Sequence, residues 1–172
     1  MTDNYNISKE WLDLAFKNIE KVIKFYKIEE YAATVFRIQL SIEQLLKSLI
    51  FLLGLKFRKT REPSKILDSI EKDEKIKIEK KYLNKIKKIA KIANNIEQLG
   101  TATRYGEIID GKLVTPEERY NKKEALIFLN DLGEILIKLI ELLENLYSFK
   151  NQIDLINKHL NEIKELISDE QK

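Results

Sequence analysis

Gln39, Glu43 and Lys47 recur at steps of four and place an amide, a carboxylate and an amine in one row along a helix. Glu43 precedes Lys47, the favourable order for an ion pair one turn apart. A second group with chemical capacity is Thr103-Arg104-Tyr105-Gly106, an Arg beside an aromatic in a glycine-punctuated stretch. Guanidinium makes forked contacts to phosphate or carboxylate. If the fold brings this loop against the helix, Arg104 faces the Glu43–Lys47 row across a cleft holding two cations, one carboxylate and the Tyr105 phenol. Such a cleft suits a phosphate with a base or ribose. Each group also has a plain reading: Lys47 snorkels and pairs with Glu43 at a helix boundary, and Arg104 ties its loop to helix carbonyls.

Charge supplies a third feature. Residues 56–91 carry 14 Lys and Arg against 6 Asp and Glu, whereas the whole chain is only +3. A patch of that sign attracts a polyanion by its field, and Lys85, Lys87 and Lys88 are the expected RNA-contact residues, binding weakly and in a salt-sensitive way. Solvated lysine faces are the ordinary alternative.

Other chemistries are excluded by residue type. The chain has no Cys, and its one histidine, His159, has no second His and no Glu three residues before it. Neither a zinc site nor a di-iron centre is expected, and no cofactor. No glycine-rich phosphate loop or serine-nucleophile motif occurs, and no catalytic residue is assigned. Aromatics are not interleaved with the basic stretch except at Tyr82, so no stacking platform for single strands is indicated.

These residues must be positioned by helices. With 5 Gly and 2 Pro in 172 residues, 44% hydrophobic and 34% charged, long helices with few connections are the economical fold. The central element spans Tyr31–Gly54 and is apolar almost all round. A stripe of Arg37, Ser41, Gln44 and Ser48 is expected to be its wet back. A first helix over 8–27 has Ser8 as N-cap and Trp11, Ala15, Ile19, Val22, Ile23 and Tyr26 on one face. A short helix follows Pro63, and a long one covers 75–98. Residues 99–115 form a long loop with a tiny hairpin at Asp110-Gly111. Thr115-Pro116-Glu117-Glu118 is a capping box opening a helix over 116–147. That helix is apolar so widely that it is either central or half-covered by a second subunit, and a homodimer is expected. A last helix, 150–168, packs on its own bundle or on a partner.

The stretch AATVFRIQLSIEQLLKSLIFLLG resembles the signature helix of HEPN domains (higher eukaryotes and prokaryotes nucleotide-binding), whose pattern is A..F..Q.a.E..LK.ll...G. The matching positions are Ala32 or Ala33, Phe36, Gln39, Glu43, Leu46, Lys47 and Gly54. TRYG at 103–106 is similar to the family's tRYP segment, and the resemblance covers about 29–146. It implies an all-α, up-and-down bundle of four to five core helices over 1–148, with an extra C-terminal helix over 149–172. It also implies a homodimer that binds nucleotide or nucleic acid through Gln39, Glu43, Lys47, Arg104 and Tyr105. Some members are metal-independent ribonuclease toxins paired with a small nucleotidyltransferase-type antitoxin. Those members carry an Arg and, with four to six residues between, a His. Here the corresponding positions hold Ile109, Asp110 and Gly111, and Gly106 replaces the Pro. A binding protein without the ribonuclease pair is therefore expected, with a nucleotidyltransferase-type protein as its partner. A divergent ribonuclease toxin and a pure interaction subunit are the alternatives. The N-terminal MTDNYNISKEW shows no signal-peptide pattern and no apolar run reaches membrane length, so a soluble cytoplasmic protein is expected.

Overall fold

The fold is seen in a computed structural model that describes residues 3–146 and 149–171. It is all-α apart from one small hairpin. Helix α1 is Asn4–Lys27, α2 Tyr31–Leu52, α3 Pro63–Asp68 and α4 Lys80–Glu97. The single turn α5 (Ala102–Tyr105), strands β1 (Glu107–Ile109) and β2 (Lys112–Val114), and the turn α6 (Pro116–Arg119) follow. Helices α7 (Lys122–Leu146) and α8 (Lys150–Asp169) complete the chain. Among the described residues no helix is long and apolar enough to cross a membrane.

Helix α1 starts a turn earlier than Ser8, because Asp3 accepts the Tyr5 backbone N–H at 3.1 Å and caps it. Ser8 is instead fully buried. Its hydroxyl donates to the Ser48 carbonyl at 2.9 Å, and Ser48 returns the bond to the Ser8 carbonyl at 2.9 Å. Two small residues thus let α1 and α2 approach closely. Ten residues along α1, Asn18 donates to the Gln44 side chain at 2.9 Å and accepts from Arg37 at 3.0 Å. Pairing in this descending order makes the two helices antiparallel. It also corrects the wet-back expectation. Ser41, Gln44 and Ser48 are buried, and the polar stripe from Arg37 to Ser48 faces α1 rather than solvent. A burial cost without hydrogen bonds would have prevented this, and the α1 partners of Arg37, Gln44 and Ser48, with the Arg37 carbonyl for Ser41, remove that cost.

The helix expected over 116–147 is broken. The Thr115–Glu118 capping box forms but opens only α6, after which Tyr120 adopts an extended backbone (φ −106°, ψ 96°) and buries its ring. A second box then restarts the chain: Lys123 N–H donates to the Asn121 side chain at 2.8 Å and Asn121 N–H to Glu124 at 3.2 Å. The expected last residue, 147, lies outside the described residues. Helix α4 begins at Lys80 rather than 75, preceded by a 3₁₀ turn at Ile70–Lys72 and an irregular link.

Helices α2, α4 and α8 all pack against α7, and α8 also packs on α1. The width of the α7 apolar surface is thereby covered within one chain, and among the described residues Ile127 and Ile137 are its large apolar side chains left exposed. Leu136, midway along this surface, is fully buried. The α7 surface thus no longer argues for a dimer. Gly133 sits where α8 crosses, and an added Cβ there would touch Ile163 and Leu160 at 3.7 and 3.9 Å.

Candidate functional site

The loop after α4 is pinned to α2 by one side chain. The Gln39 amide donates to the carbonyls of Ile96 at 3.3 Å and Gly100 at 3.0 Å, and its oxygen accepts the Thr103 hydroxyl at 2.5 Å. Both faces of the amide are used, so Gln39 is a positioning residue and not a ligand group. Thr103 is buried while its neighbours Arg104 and Tyr105 are exposed, Tyr105 by 71%. One turn of helix, α5, sets this alternation. Gly106 ends the turn at φ +74°, where only glycine is unstrained. Its missing Cβ is required twice over, since one there would lie 2.2 Å from the Val114 carbonyl oxygen. The departure from the family's Pro therefore has a geometric cause: proline is locked near −65°.

Arg104 lies over the Phe36 ring, guanidinium carbon 4.8 Å from its centroid, and Arg37 meets the same ring at 5.3 Å. Stacking of this kind holds a guanidinium in place and leaves its N–H edge for a ligand. Among the described residues no carboxylate pairs with Arg104, whereas Arg119 is tied to Glu107 of the hairpin. A hollow of about 360 Å³ adjoins Arg104 and Tyr105, and its rim includes Glu30, Phe36, Pro116 and Glu117.

Glu43 and Lys47 do not border that hollow. They lie about 10 and 16 Å further along α2 than Phe36, at 1.5 Å per residue. The two pair at 2.6 Å with only 17% and 12% of their side chains exposed, and the Lys47 ammonium sits 4.8 Å from the Trp11 ring centroid. Their place is the boundary with α1, so the expected single cleft shared with Arg104 is not formed.

The basic residues also separate. Lys85 pairs with Glu141 of α7, and Lys87 with Glu71 of the 3₁₀ turn at 2.6 Å. Lys87, Lys88 and Lys91 all line a groove between α3 and α4. Of the expected RNA-contact residues, Lys87 and Lys88 thus share one groove, and Lys85 does not line it.

One polar residue escaped the sequence reading. Glu97 is 5% exposed and accepts both the Ser64 backbone N–H, at 3.1 Å, and the Ser64 hydroxyl, fastening α3 to α4. Burial pushes its carboxyl up; the Ser64 bonds pull it back, and the Glu62 and Glu43 carboxylates push it up further. The signal was present in sequence, since Glu97 continues the buried row of Ala90 and Ala93 at steps of three and four. His159 is 1% exposed on α8, beside Phe16, with neither ring nitrogen hydrogen-bonded. It is remote in role from the Arg104 hollow. Among the described residues no three metal-ligating side chains gather.

The sequence pattern of the HEPN domain matches residues 8–141, and the chain belongs to that family. The match extends through α1, beyond the signature helix and the TRYG segment. The chain is 27% identical over 147 residues to a Methanocaldococcus jannaschii protein named "Putative toxin MJ1304", covering 86% of this chain and 95% of that one. No solved structure matches it.

Proposed function

We propose that this HEPN protein binds a nucleotide or an RNA phosphate through Arg104, with Tyr105 beside it, and does not cleave it. The observation that carries this reading is the Arg104 guanidinium stacked on Phe36, exposed and without a carboxylate partner among the described residues. Gln39 and Thr103 hold its backbone in place, so little ordering is left for the ligand to impose. Within this reading the chain works as a homodimer beside a nucleotidyltransferase-type protein. The exposed Tyr105, Ile108 and Leu113 at this end of the bundle support a protein contact. Sedimentation at micromolar concentration decides the dimer.

Titration calorimetry with AMP, ATP and a short RNA tests the site. Arg104→Ala should weaken binding by about 1.5–3 kcal/mol, the scale of a charge-assisted hydrogen bond, and leave Tm unchanged. A large loss of Tm with unchanged binding would make Arg104 a loop anchor and overturn the reading.

A second reading, a divergent metal-independent ribonuclease toxin, is favoured by the relative's name and by the carboxylates of Glu30 and Glu117 on the rim of the Arg104 hollow. With no histidine near Arg104, one of these would take the proton from the ribose 2′-hydroxyl as that oxygen bonds to phosphorus and the bond to the 5′-oxygen breaks, the leaving 5′-oxygen taking a proton from water, while Arg104 would meet the negative charge on the phosphoryl oxygens. RNA cleavage that is lost in both Arg104→Ala and Glu117→Gln would establish it in place of the binding reading.

A further inference from the structure

We propose that the two grooves on either side of α3 form one track for a nucleic-acid phosphodiester backbone. Residues 56–91 carry a net +8, while the rest of the chain holds 17 basic against 22 acidic residues, so the molecule is strongly polarised toward this end. One groove, of about 590 Å³, runs between the link after α2 and the 3₁₀ turn. The other, of about 400 Å³, lies between α3 and α4. Lys65 lines both and joins them. Together they present eight cations against the three acids Asp68, Asp73 and Glu74.

Pairing decides which of those cations are available. Lys65 and Lys87 are held by Glu62 and Glu71. Lys56, Arg58, Lys72, Lys75, Lys88 and Lys91 are exposed, and among the described residues none has a carboxylate within ion-pair distance. The ridge between the grooves is not loose, because the buried Glu97 fastens Ser64 at the start of α3. The charge array is therefore set before a ligand arrives. Its chemistry favours a phosphate chain over an acidic protein. Of the apolar wall residues, Leu55 and Ile70 are 8% and 2% exposed and Ile66 is half-buried, so the grooves offer no aromatic anchor of the kind protein interfaces use. No aromatic side chain lines either groove, so bases are neither stacked nor read, and the contact is to the backbone alone.

This track supplies the polymer contact for the RNA reading above, yet it uses none of the Arg104 hollow, so the two can fail separately. The test is fluorescence anisotropy of the full chain with a labelled 20-nucleotide RNA, the same DNA sequence, and polyglutamate as competitor. Six phosphate contacts give a log–log salt slope of about −4 on a single strand. The double variants Lys56→Glu/Arg58→Glu and Lys88→Glu/Lys91→Glu should each lose tenfold or more in affinity and flatten that slope. The control variant Lys21→Glu/Lys24→Glu, on exposed positions of α1 outside both grooves, should stay within twofold. Equal binding of RNA and DNA supports the shared phosphodiester as ligand, and RNA alone adds 2′-hydroxyl contacts on the same track. In the wild-type chain, bound RNA should shield Lys56, Lys72, Lys88 and Lys91 from acylation. Protection confined to one groove, undiminished affinity in either double variant, or displacement of RNA by polyglutamate at equal charge concentration would overturn the proposal.

Discussion

Thr103 donates its hydroxyl to the Gln39 side-chain oxygen at 2.5 Å, joining residues 64 positions apart. Through this bond a residue of the signature helix sets where Arg104 stands without touching a ligand. Gln39→Ala should therefore cost about 1–3 kcal/mol in urea denaturation, since three hydrogen bonds are lost. It should also weaken nucleotide binding in parallel with Arg104→Ala. Unchanged stability would show that the loop is held by other contacts.

Gly106 is the second fixed point of the loop. Gly106→Ala forces a Cβ against the Val114 carbonyl at a φ of +74° and should cost about 1–3 kcal/mol. Gly106→Pro, which restores the family's residue, should be worse, because it also removes the N–H that bonds the Ala102 carbonyl at 3.1 Å. Thermal melts with backbone NMR of residues 100–115 check both. A proline variant as stable as the native chain would refute the geometric account of this departure.

Lys47 separates structure from ligand chemistry. Lys47→Met keeps the stem against Trp11 but deletes the charge facing Glu43. A mostly buried pair over an aromatic ring predicts a loss of about 1–3 kcal/mol in stability, because Glu43 is left without its partner. Nucleotide affinity should not change. If affinity falls tenfold at constant Tm, Lys47 belongs to the site after all.

Burial holds the His159 imidazole below its usual range; Glu162 and Glu20 push it up, and Lys158 pushes it down further. The folded chain thus binds the proton less readily than the unfolded chain. As pH falls below about 6.5 the unfolded state gains a proton first. Stability is lost on acidification until the folded value is passed. His159→Leu removes both orphaned nitrogens and should raise stability by about 1–3 kcal/mol at neutral pH. The variant-minus-native difference should widen from pH 7.5 to 5.5, measured by denaturant melts. A difference that stays flat would mean the imidazole already has a partner.

By itself the sequence determined the all-α class, because few glycines and prolines and apolar residues at steps of three and four leave helices as the only way to bury so much surface. It also marked the Asp110-Gly111 hairpin, which forms with φ of +51° and +77° at those two residues. The resemblance carried by Phe36, Gln39, Glu43, Lys47 and the TRYG segment pointed to the family. What it could not determine was which polar stripe of α2 meets a neighbour. Arg37, Ser41, Gln44 and Ser48 read as solvent-facing until Ser8 and Asn18 of α1 supply hydrogen bonds to Ser48, Gln44 and Arg37, and Ser41 turns to the Arg37 carbonyl of its own helix. Periodicity says that residues share a face, not what lies opposite. For the same reason only the tertiary structure could part Arg104 from Glu43 and Lys47, spend Gln39 on the loop, and turn Lys85 to Glu141 while Lys87 and Lys88 line one groove. Each outcome depends on which helix packs beside α2 and α4, and that is decided by contacts between residues tens of positions apart.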